Sequence, residues 1–487
     1  MRTAIREKMP SLPEGRFCLL ACGLLSCAVY GGMTWVSYAF VYGQGHRQRP
    51  FLTFLGCYAA AFGLYWLVLR GLPRLSRCCG NLGLILSFAV LFRAVMLWSN
   101  PIQEDDFYRY LWDGKVVASG LNPYRFAPQV IESVREGNDS LQPYSQIVKA
   151  DPAMAVVLAR VNHPDVPTIY PPLAQGVFAL AAFVAPGNLQ GLRLVFLAFD
   201  VGLGVVVITL LQRVAISPVY VLIYAWSPLV IKETLNSAHY DVVPTFFFIG
   251  SLWLALQGKT LLAHGSLALA ILGKVYPLLF LPLLLRRTWQ LHGRVWALSG
   301  LIVTVVVIVL GYVPFLTAGS LLWQGTQAFA ERWQTNSALF PFLAQLVGER
   351  WLANTIVVLL LGGAVITVLV RYDLQDEREF LWSVFLLLGA LFLLSPVGNP
   401  WYLLWLIPLL CVFPLRSWLL LSGLLGLYYL SFYFIYHRTP ETFRWVLWLE
   451  YIPFYGILVW EWMTLRSHNG LAPPAESFLR PPVQPLS

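Results

Sequence analysis

Residues 104–124 read EDDFYRYLWDGKVVASGLNPY, and they form the most polar stretch of a chain that is otherwise largely apolar. The stretch carries four carboxylates, two cations and three tyrosines, and it follows an apolar run that ends near Trp98. An apolar run of spanning length followed at once by clustered charge is typical of a segment at a bilayer surface. The sequence therefore predicts a membrane protein organised around one polar edge.

The composition of the whole chain supports a polytopic membrane protein. Of its 487 residues, 58% are hydrophobic and 12% are charged, whereas a soluble domain carries about 25% charged residues. The net charge of +9 is explained by lysines and arginines that hold cytoplasmic loops in place. Because the chain has no nucleic-acid motif or dense basic run, we predict no nucleic-acid partner.

The first three apolar runs set the predicted orientation. They cover residues 17–42, 51–69 and 82–99, and the first follows a basic N-terminus. The basic residues there are Arg2, Arg6, Lys8 and Arg16. Since the loop between the second and third runs carries three arginines, the positive-inside rule places it in the cytoplasm and places residues 100–189 outside.

Further apolar stretches bring the expected total to about 12 to 14. They lie near 190–211, 218–231, 242–257, 260–273, 275–285, 295–314, 353–371, 380–395, 400–414, 417–436 and 445–464. Several are shorter than a full span, so some must be broken, tilted or buried. Residues 173–185 are expected to be a partly embedded or re-entrant helix.

The expected fold is an all-α, polytopic transmembrane bundle with short helices in its first large extracytoplasmic loop. Residues 1–466 form one domain, in which 100–189 are the catalytic loop and 315–352 a second outer loop. Residues 467–487, which are rich in proline, are expected to be a disordered cytoplasmic tail. With this orientation, the polar clusters all lie on the outer side of the membrane. If residues 173–185 instead cross the membrane, the sidedness of the middle helices is inverted.

The acidic pair Asp105 and Asp106 begins a predicted helix that ends at Gly120. On that helix Asp106, Tyr110 and Asp113 share a face, as do Asp105, Arg109 and Asp113. Capping is the simpler explanation, because an Asp at a helix start accepts from backbone N–H groups and suits the dipole. The position at the membrane surface favours a catalytic role, with Arg109 keeping one carboxylate ionised.

A transferase that moves a sugar from a lipid phosphate needs such a carboxylate. It takes the proton of the acceptor hydroxyl as the hydroxyl oxygen attacks the anomeric carbon, and cations must meet the departing phosphate. The candidate cations are Lys274, Arg332, His239 and Arg93. Lys274 is also explained by snorkelling, and Arg93 by pairing with a carboxylate.

Other polar and aromatic residues are candidates for binding the sugar or the acceptor. A polar turn contains Asn236, His239 and Asp241, and two ligands of this kind do not make a metal site; no metal or cofactor is predicted. Aromatic residues stack on sugars, although an interfacial belt explains most of the tryptophans. The candidates are Arg109, Tyr110, Asp113, Asn122, Tyr170, Asp241, Trp333, Asn336 and Trp401.

These motifs resemble multipass C-type-fold (GT-C) glycosyltransferases, above all the bacterial polyprenol-phosphate-mannose-dependent mannosyltransferases. The resemblance is spread over residues 100–410. The stretches that carry it are Asp106-Phe-Tyr-Arg-Tyr110, Trp112-Asp-Gly114, Gly120-Leu-Asn-Pro-Tyr124, Tyr170-Pro-Pro-Leu173, Ser227-Pro-Leu229, His239-Tyr-Asp241, Lys274-Val-Tyr-Pro277, Arg332-Trp333 with Asn336, and Pro400-Trp-Tyr402. Tyr240 departs from the pattern, in which Asn is usual.

The resemblance implies an inverting enzyme of the bacterial inner (plasma) membrane with its active site on the extracytoplasmic face. Its partners would be a polyprenyl-phosphate sugar donor, with mannose as the expected sugar, a glycan or lipid acceptor, and membrane lipids. The family's base carries over onto Asp106, or onto Asp105 beside it, and no metal is implied. Two alternatives stay open: a lipid or solute transporter, whose polar residues would lie near the bilayer midplane, and an outer-face glycan ligase or polymerase.

Overall fold

The computed structural model describes residues 12–77, 80–132 and 139–469. Within these ranges the chain is helical, and its one β contact is an isolated parallel bridge between Thr335 and Val397. The expected all-α class is confirmed. The basic residues Arg2, Arg6 and Lys8 and most of the predicted tail lie outside the described residues, although the last helix continues to Asn469 and so includes the tail's first three positions.

Three long helices precede the polar edge, and short helices follow it. The long helices are α1 (Leu12–Ser37), α2 (Phe51–Leu75) and α3 (Gly80–Leu97). The short ones are α4 (Asp106–Ala118), α5 (Pro128–Glu132), α6 (Gln142–Ala150), α7 (Pro152–Ala159) and α8 (Pro172–Val184). The predicted short helices after the third span are therefore present, and residues 173–185 form a helix too short for a full crossing.

The rest of the chain alternates long helices with broken ones. The middle helices are α9 (Leu189–Arg213), α10 (Leu222–Ala225), α11 (Pro228–Ile231), α12 (Val242–Leu256), α13 (Thr260–Gly273), α14 (Leu281–His292) and α15 (Arg294–Tyr312). The last are α16 (Gln324–Arg332), α17 (Phe340–Val347), α18 (Arg350–Arg371), α19 (Glu377–Leu394), α20 (Ile407–Leu410), α21 (Arg416–Leu424), α22 (Leu430–Tyr436) and α23 (Phe443–Asn469).

Seven helical segments of the described chain are long and apolar enough to cross a membrane. They are α1, α2, α3, α9, the segment that begins with α15, α18, and the segment formed by α21 and α22. This is fewer than the 12 to 14 spans expected, because stretches such as 218–231 and 400–414 are broken into short turns. Prolines begin these turns and remove backbone donors, so the apolar runs do not become continuous helices.

The helix α4 is fixed against α8 by a close backbone approach. A Cβ at Gly114 would lie 2.3 Å from the carbonyl oxygen of Phe178, so only glycine fits there without displacement. One turn earlier, Tyr110 stacks on the Phe178 ring with centroids 4.5 Å apart. These two contacts fix α4, and with it the acidic residues at its start, against α8.

The segment before α4 is held by a buried amide and a buried guanidinium. Asn236 accepts from the Ile102 N–H at 3.0 Å and donates to Ser99 Oγ at 2.8 Å. Arg193 donates to the carbonyl oxygens of Leu97, Ser99 and Asn236. Because a buried backbone group must be paired, this network both satisfies the end of α3 and fixes the chain that enters the acidic edge.

Candidate active site

A cavity of about 750 Å³ lies beside the start of α4. Its polar end is lined by the acidic edge, by the loop at 162–171 and by the residues near 240 and 274. Its apolar end is lined by residues of α16, α18 and α19. The cavity therefore joins a charged end to an apolar end, which is the arrangement an amphipathic ligand requires.

Asn162 joins the two aspartates at the polar end. Its Nδ2 donates to Asp105 Oδ1 at 3.1 Å and to Asp106 Oδ1 at 2.5 Å. Asp105 occupies the position just before α4, but its side chain makes no capping hydrogen bond with that helix. The capping explanation is thus wrong for Asp105, because Asn162 and not the helix backbone holds its carboxylate.

Three consecutive acidic side chains crowd one another at this edge. Burial, with the charge of Asp106 as the second cause, raises the pKa of Asp105 to about 7. Burial raises the pKa of Glu104 well above its usual range, and one of its carboxylate oxygens has no hydrogen-bond partner in the described chain. Asp106 keeps 25% of its side chain exposed, against 8% for Glu104, and it lines the cavity.

Arg109 does not act on the acidic pair as the sequence suggested. Its guanidinium donates to the carbonyl oxygens of Asn162, His163 and Val166, at 3.2, 3.0 and 3.1 Å. It tends to lower the pKa of Asp113 instead, although burial still raises that pKa overall. The expected role of Arg109 in keeping an aspartate of the pair ionised is therefore wrong. Its observed role is to fix the 162–166 loop, and with it Asn162.

A π-helical turn covers Lys232–Asn236 and shortly precedes the cavity residues Tyr240 and Asp241. Such turns are rare and are found mostly at functional sites. Here the turn buries Lys232 and Glu233 side by side, with Nζ and Oε1 3.3 Å apart. Glu233 Oε2 also meets Nδ1 of His239 at 2.9 Å, so the extra residue in the turn brings a lysine, a glutamate and a histidine together.

Lys274 and Asp241 form a buried ion pair inside a ring of aromatic side chains. Lys274 Nζ lies 2.6 Å from Asp241 Oδ1, and Trp405 Nε1 donates to the same oxygen at 2.8 Å. The ammonium lies 4.1 Å from the ring centre of Tyr402 and 5.1 Å from that of Trp405. About a fifth of the lysine side chain, 19%, stays exposed and lines the cavity, so this cation does not snorkel away from the site.

The structure brings some of the predicted residues to the cavity and keeps others away. The predicted residues that line it are Asp105, Asp106, Arg109, Tyr110, Tyr170, Asp241, Lys274, Trp333 and Trp401. The tyrosines Tyr110 and Tyr170 pack edge to face, with centroids 5.1 Å apart. They form an aromatic wall next to the acidic edge.

Two predicted phosphate ligands lie elsewhere. Arg93 is buried between helices and pairs with Asp200, so the carboxylate-pairing alternative explains it and the phosphate role does not. Arg332 is 60% exposed and pairs with Asp165 at 2.9 Å, away from the cavity lining. Since a partner already satisfies each guanidinium, neither is directed at the site.

Three predicted binding residues support the site without lining it. Asn122 Nδ2 donates to the Phe315 carbonyl oxygen at 3.0 Å, which joins the two outer loops. Asp113 is buried and accepts from Gln175 Nε2 at 3.2 Å. Asn336 is buried beside the bridge at Thr335 and donates to the Gly398 carbonyl oxygen at 3.2 Å. Their contacts are structural, because each amide or carboxyl is directed at protein atoms.

Sequence reasoning missed Asn162 and undervalued Glu233 and Glu104. Asn162 stands in no recognisable motif, and its importance depends on how the 162–166 loop folds back on α4. In the sequence, Glu233 is only a charged residue shortly before the polar turn that contains His239. Its burial beside Lys232, one residue apart on a π turn, would have required knowing that the helix is interrupted there.

No group of three or more His, Cys, Asp and Glu side chains within residues 12–77, 80–132 and 139–469 is arranged to hold a metal ion. The ionisable groups in and beside the cavity include carboxylates, the imidazole of His239 and the ammonium of Lys274.

The fold and the cavity define an all-α integral membrane protein with an acidic cleft beside its first large loop. Residues 15–290 match the model of a family described as alpha-(1->6)-mannopyranosyltransferase, N-terminal domain. The match covers more than half of the chain, which therefore belongs to this family.

A named relative agrees with the family match. The alpha-(1->6)-mannopyranosyltransferase B of Corynebacterium glutamicum is 23% identical in an alignment 385 residues long, and the alignment covers 70% of this chain. The aligned region spans 60% of that relative's own length. No solved structure matches the chain at a significant level. The resemblance to mannosyltransferases seen in the sequence is confirmed at the level of the family.

Proposed function

We propose that the protein is a membrane mannosyltransferase that transfers mannose from a polyprenyl-phosphate donor to a glycan or lipid-linked glycan acceptor, with inversion. The observation that carries the proposal is the acidic edge at Asp105 and Asp106, which faces a caged lysine across an aromatic cavity. Membership of the mannopyranosyltransferase family favours this activity over transport, and over a ligase or polymerase.

The proposed reaction is a single displacement at the anomeric carbon. The oxygen of the acceptor hydroxyl forms the new bond to that carbon while the bond to the donor phosphate breaks and its electron pair goes to the phosphate oxygen. The hydroxyl proton passes to Asp106, which acts as the general base. Asp106 is preferred to Asp105 because its charge acts on Lys274 and Tyr402, which line the cavity.

Lys274 is the proposed ligand of the departing phosphate. Of the four cations considered from the sequence, it is the one whose side chain lines the cavity. The positive charge that Asp241 holds in the resting site would shift toward the phosphate as negative charge develops there. Trp405 continues to donate to Asp241, so the carboxylate keeps a partner when the lysine moves.

The apolar end of the cavity supports a lipid-linked donor. It is lined by residues such as Val275, Val358 and Leu391. Val275 and Val358 are 50% and 67% exposed, so a hydrocarbon chain would meet apolar surface at this end of the cavity. A lipid phosphate would then reach Lys274 while its isoprenoid chain stays in an apolar medium.

The orientation and the membrane are also part of the proposal. The excess of Lys and Arg in the loops expected inside supports an active site on the extracytoplasmic face of a bacterial plasma membrane. The position of the acidic edge directly after α3 agrees with this path. Tyr240, which departs from the motif that the sequence resembles, lies in the aromatic wall with Tyr110 and Tyr170, so it is the residue expected to adapt the site to its particular sugar or acceptor.

The decisive experiment measures mannose transfer by the purified protein in nanodiscs. The substrates are radiolabelled polyprenyl-phosphate mannose and a lipid-linked mannose oligosaccharide. Asp106→Asn is expected to lower turnover by about a thousandfold, the range for loss of a general base. The matched control is Asp165→Asn, an exposed aspartate, which should keep wild-type turnover. Full turnover by Asp106→Asn would refute the assignment of the base.

A further inference from the structure

The histidine beneath the acidic edge is held in one orientation by a buried glutamate. Nδ1 of His239 lies 2.9 Å from Glu233 Oε2, and their side chains are 1% and 2% exposed. The ring also stacks on Trp401, with centroids 3.8 Å apart and planes 22° from parallel. Because Glu233 accepts a hydrogen bond, Nδ1 carries the proton of the neutral imidazole, which leaves the lone pair on Nε2.

The second ring nitrogen points at the acidic edge and has no settled partner there. Nε2 of His239 is buried without a hydrogen bond in the described part of the chain. It lies 3.9 Å from Asp106 Oδ2 and 3.9 Å from Glu104 Oε2. The lone pair on Nε2 therefore faces two carboxyl groups and can accept a proton that either of them carries.

Charged groups surround this ring on every side. Glu104 and Asp106 face Nε2 from the start of α4, and Glu233 faces Nδ1 from the π turn. Behind Glu233, Lys232 contacts it at 3.3 Å and Tyr429 donates to it at 2.9 Å. Asp105 stands behind Asp106 on the shared Asn162 amide. Acidic side chains outnumber cations around the ring, and a proton added at Nε2 would lie between two carboxyl groups.

We propose that His239 receives, at Nε2, the proton that Asp106 takes from the acceptor hydroxyl, while Glu233 orients the ring and balances the new charge. This rests on the function proposed above. Asp106 is returned to its ionised form within the same turnover, and the imidazolium later gives its proton to solvent. His239 acts through Asp106 and is therefore a positioning residue. The assignment replaces the sequence-based role of His239 as a phosphate ligand.

The two roles of His239 differ in what its removal does to kinetics. A proton acceptor behind the base affects turnover, so His239→Ala should lower kcat by about 10- to 100-fold and change the KM for polyprenyl-phosphate mannose less than twofold. Removal of the ring leaves an empty space beside Trp401. Added imidazole should therefore raise the kcat of His239→Ala about tenfold. A phosphate ligand would instead raise the donor KM, and imidazole would give no rescue.

Two further variants keep the test decisive. Glu233→Gln keeps the volume of the side chain and should also lower kcat with an unchanged donor KM. It probes the same arrangement if His239→Ala folds poorly. His292 is exposed at the end of α14, and His292→Ala should match the wild type with and without imidazole. If wild-type protein transfers mannose but both site variants keep its kcat, the relay is wrong. If wild-type protein transfers no mannose, the proposed function itself has failed.

Discussion

The raised pKa of Asp105 leads to a prediction about pH that separates the two aspartates. Burial and the nearby charge of Asp106 put the Asp105 pKa at about 7, so the side chain is neutral at pH 5.5 and ionised at pH 8.5. Asp105→Asn resembles the neutral form at every pH. If Asp106 is the base and Asp105 only adds charge, the wild type and the variant differ when Asp105 is ionised and agree when it is not.

The size of the difference follows from the distance between the two carboxylates. Both Oδ1 atoms contact the same Asn162 nitrogen, at 3.1 and 2.5 Å, so they lie within about 6 Å of each other. Two unit charges at that distance interact by about 3 kcal/mol at an effective dielectric constant of 20 and by about 0.7 kcal/mol in bulk water. The Asp105 charge attracts the proton that moves to Asp106 with an energy of this size. If half of that energy is present in the transition state, the charge raises the rate of mannose transfer roughly 2- to 10-fold.

The assay is the initial rate of mannose transfer from pH 5.5 to 9, for the wild type and Asp105→Asn side by side. The ratio of the two rates should be near one at pH 5.5, should rise as the pH passes about 7, and should level at roughly 2- to 10-fold above pH 8. Asp165→Asn serves as the control and should give a flat ratio. A loss of activity at every pH would identify Asp105 as the base, and a small loss independent of pH would refute the electrostatic reasoning.

Two other predictions concern the caged lysine and the packing of α4. Lys274→Met should raise the donor KM by more than tenfold, and it should lower the free energy of unfolding by about 3 kcal/mol because it leaves Asp241 charged and buried. The double variant Lys274→Met with Asp241→Asn should recover the stability but not the donor KM. Recovery of both would contradict the role of Lys274 as phosphate ligand. Gly114→Ala should lower stability by about 1–3 kcal/mol through collision with Phe178. Gly176→Ala, which meets open space within α8, should keep or raise the melting temperature, because alanine favours a helix over glycine.

The fold class and the acidic helix could be predicted from the sequence because they depend on local signals. The apolar runs exceed the length of a bilayer crossing, and the predicted helix after Asp105 is observed as Asp106–Ala118, followed by Gly120 with a φ of 74°. The long apolar helices are fewer than the apolar runs for a physical reason. Composition shows that a run is apolar, but prolines such as Pro218 and Pro400 decide whether it is one helix.

The partners of the charged residues could not be predicted, because they come from distant parts of the chain. Arg93 pairs with Asp200, which lies more than a hundred residues later in the chain. Arg109 donates to carbonyl oxygens that face it only when the 162–166 loop is folded. The same holds for Asn162, whose amide has no sequence signature. A single sequence shows which residues carry charge, but the fold decides which of them are already satisfied and which stay available to a ligand.

The availability of these charges explains why the site uses a lysine that is paired in its resting state. An unpaired ammonium at this depth would be costly, and Asp241 and the aromatic ring around it offset that cost. The acidic edge has no such partner, and it relies on a raised Asp105 pKa, the Asn162 amide and the imidazole of His239. In the proposed reaction the anionic donor phosphate belongs at the lysine end and the hydroxyl proton at the acidic end. In this proposal, the paired ammonium at one end of the cavity and the acidic side chains at the other set the direction in which the sugar lies.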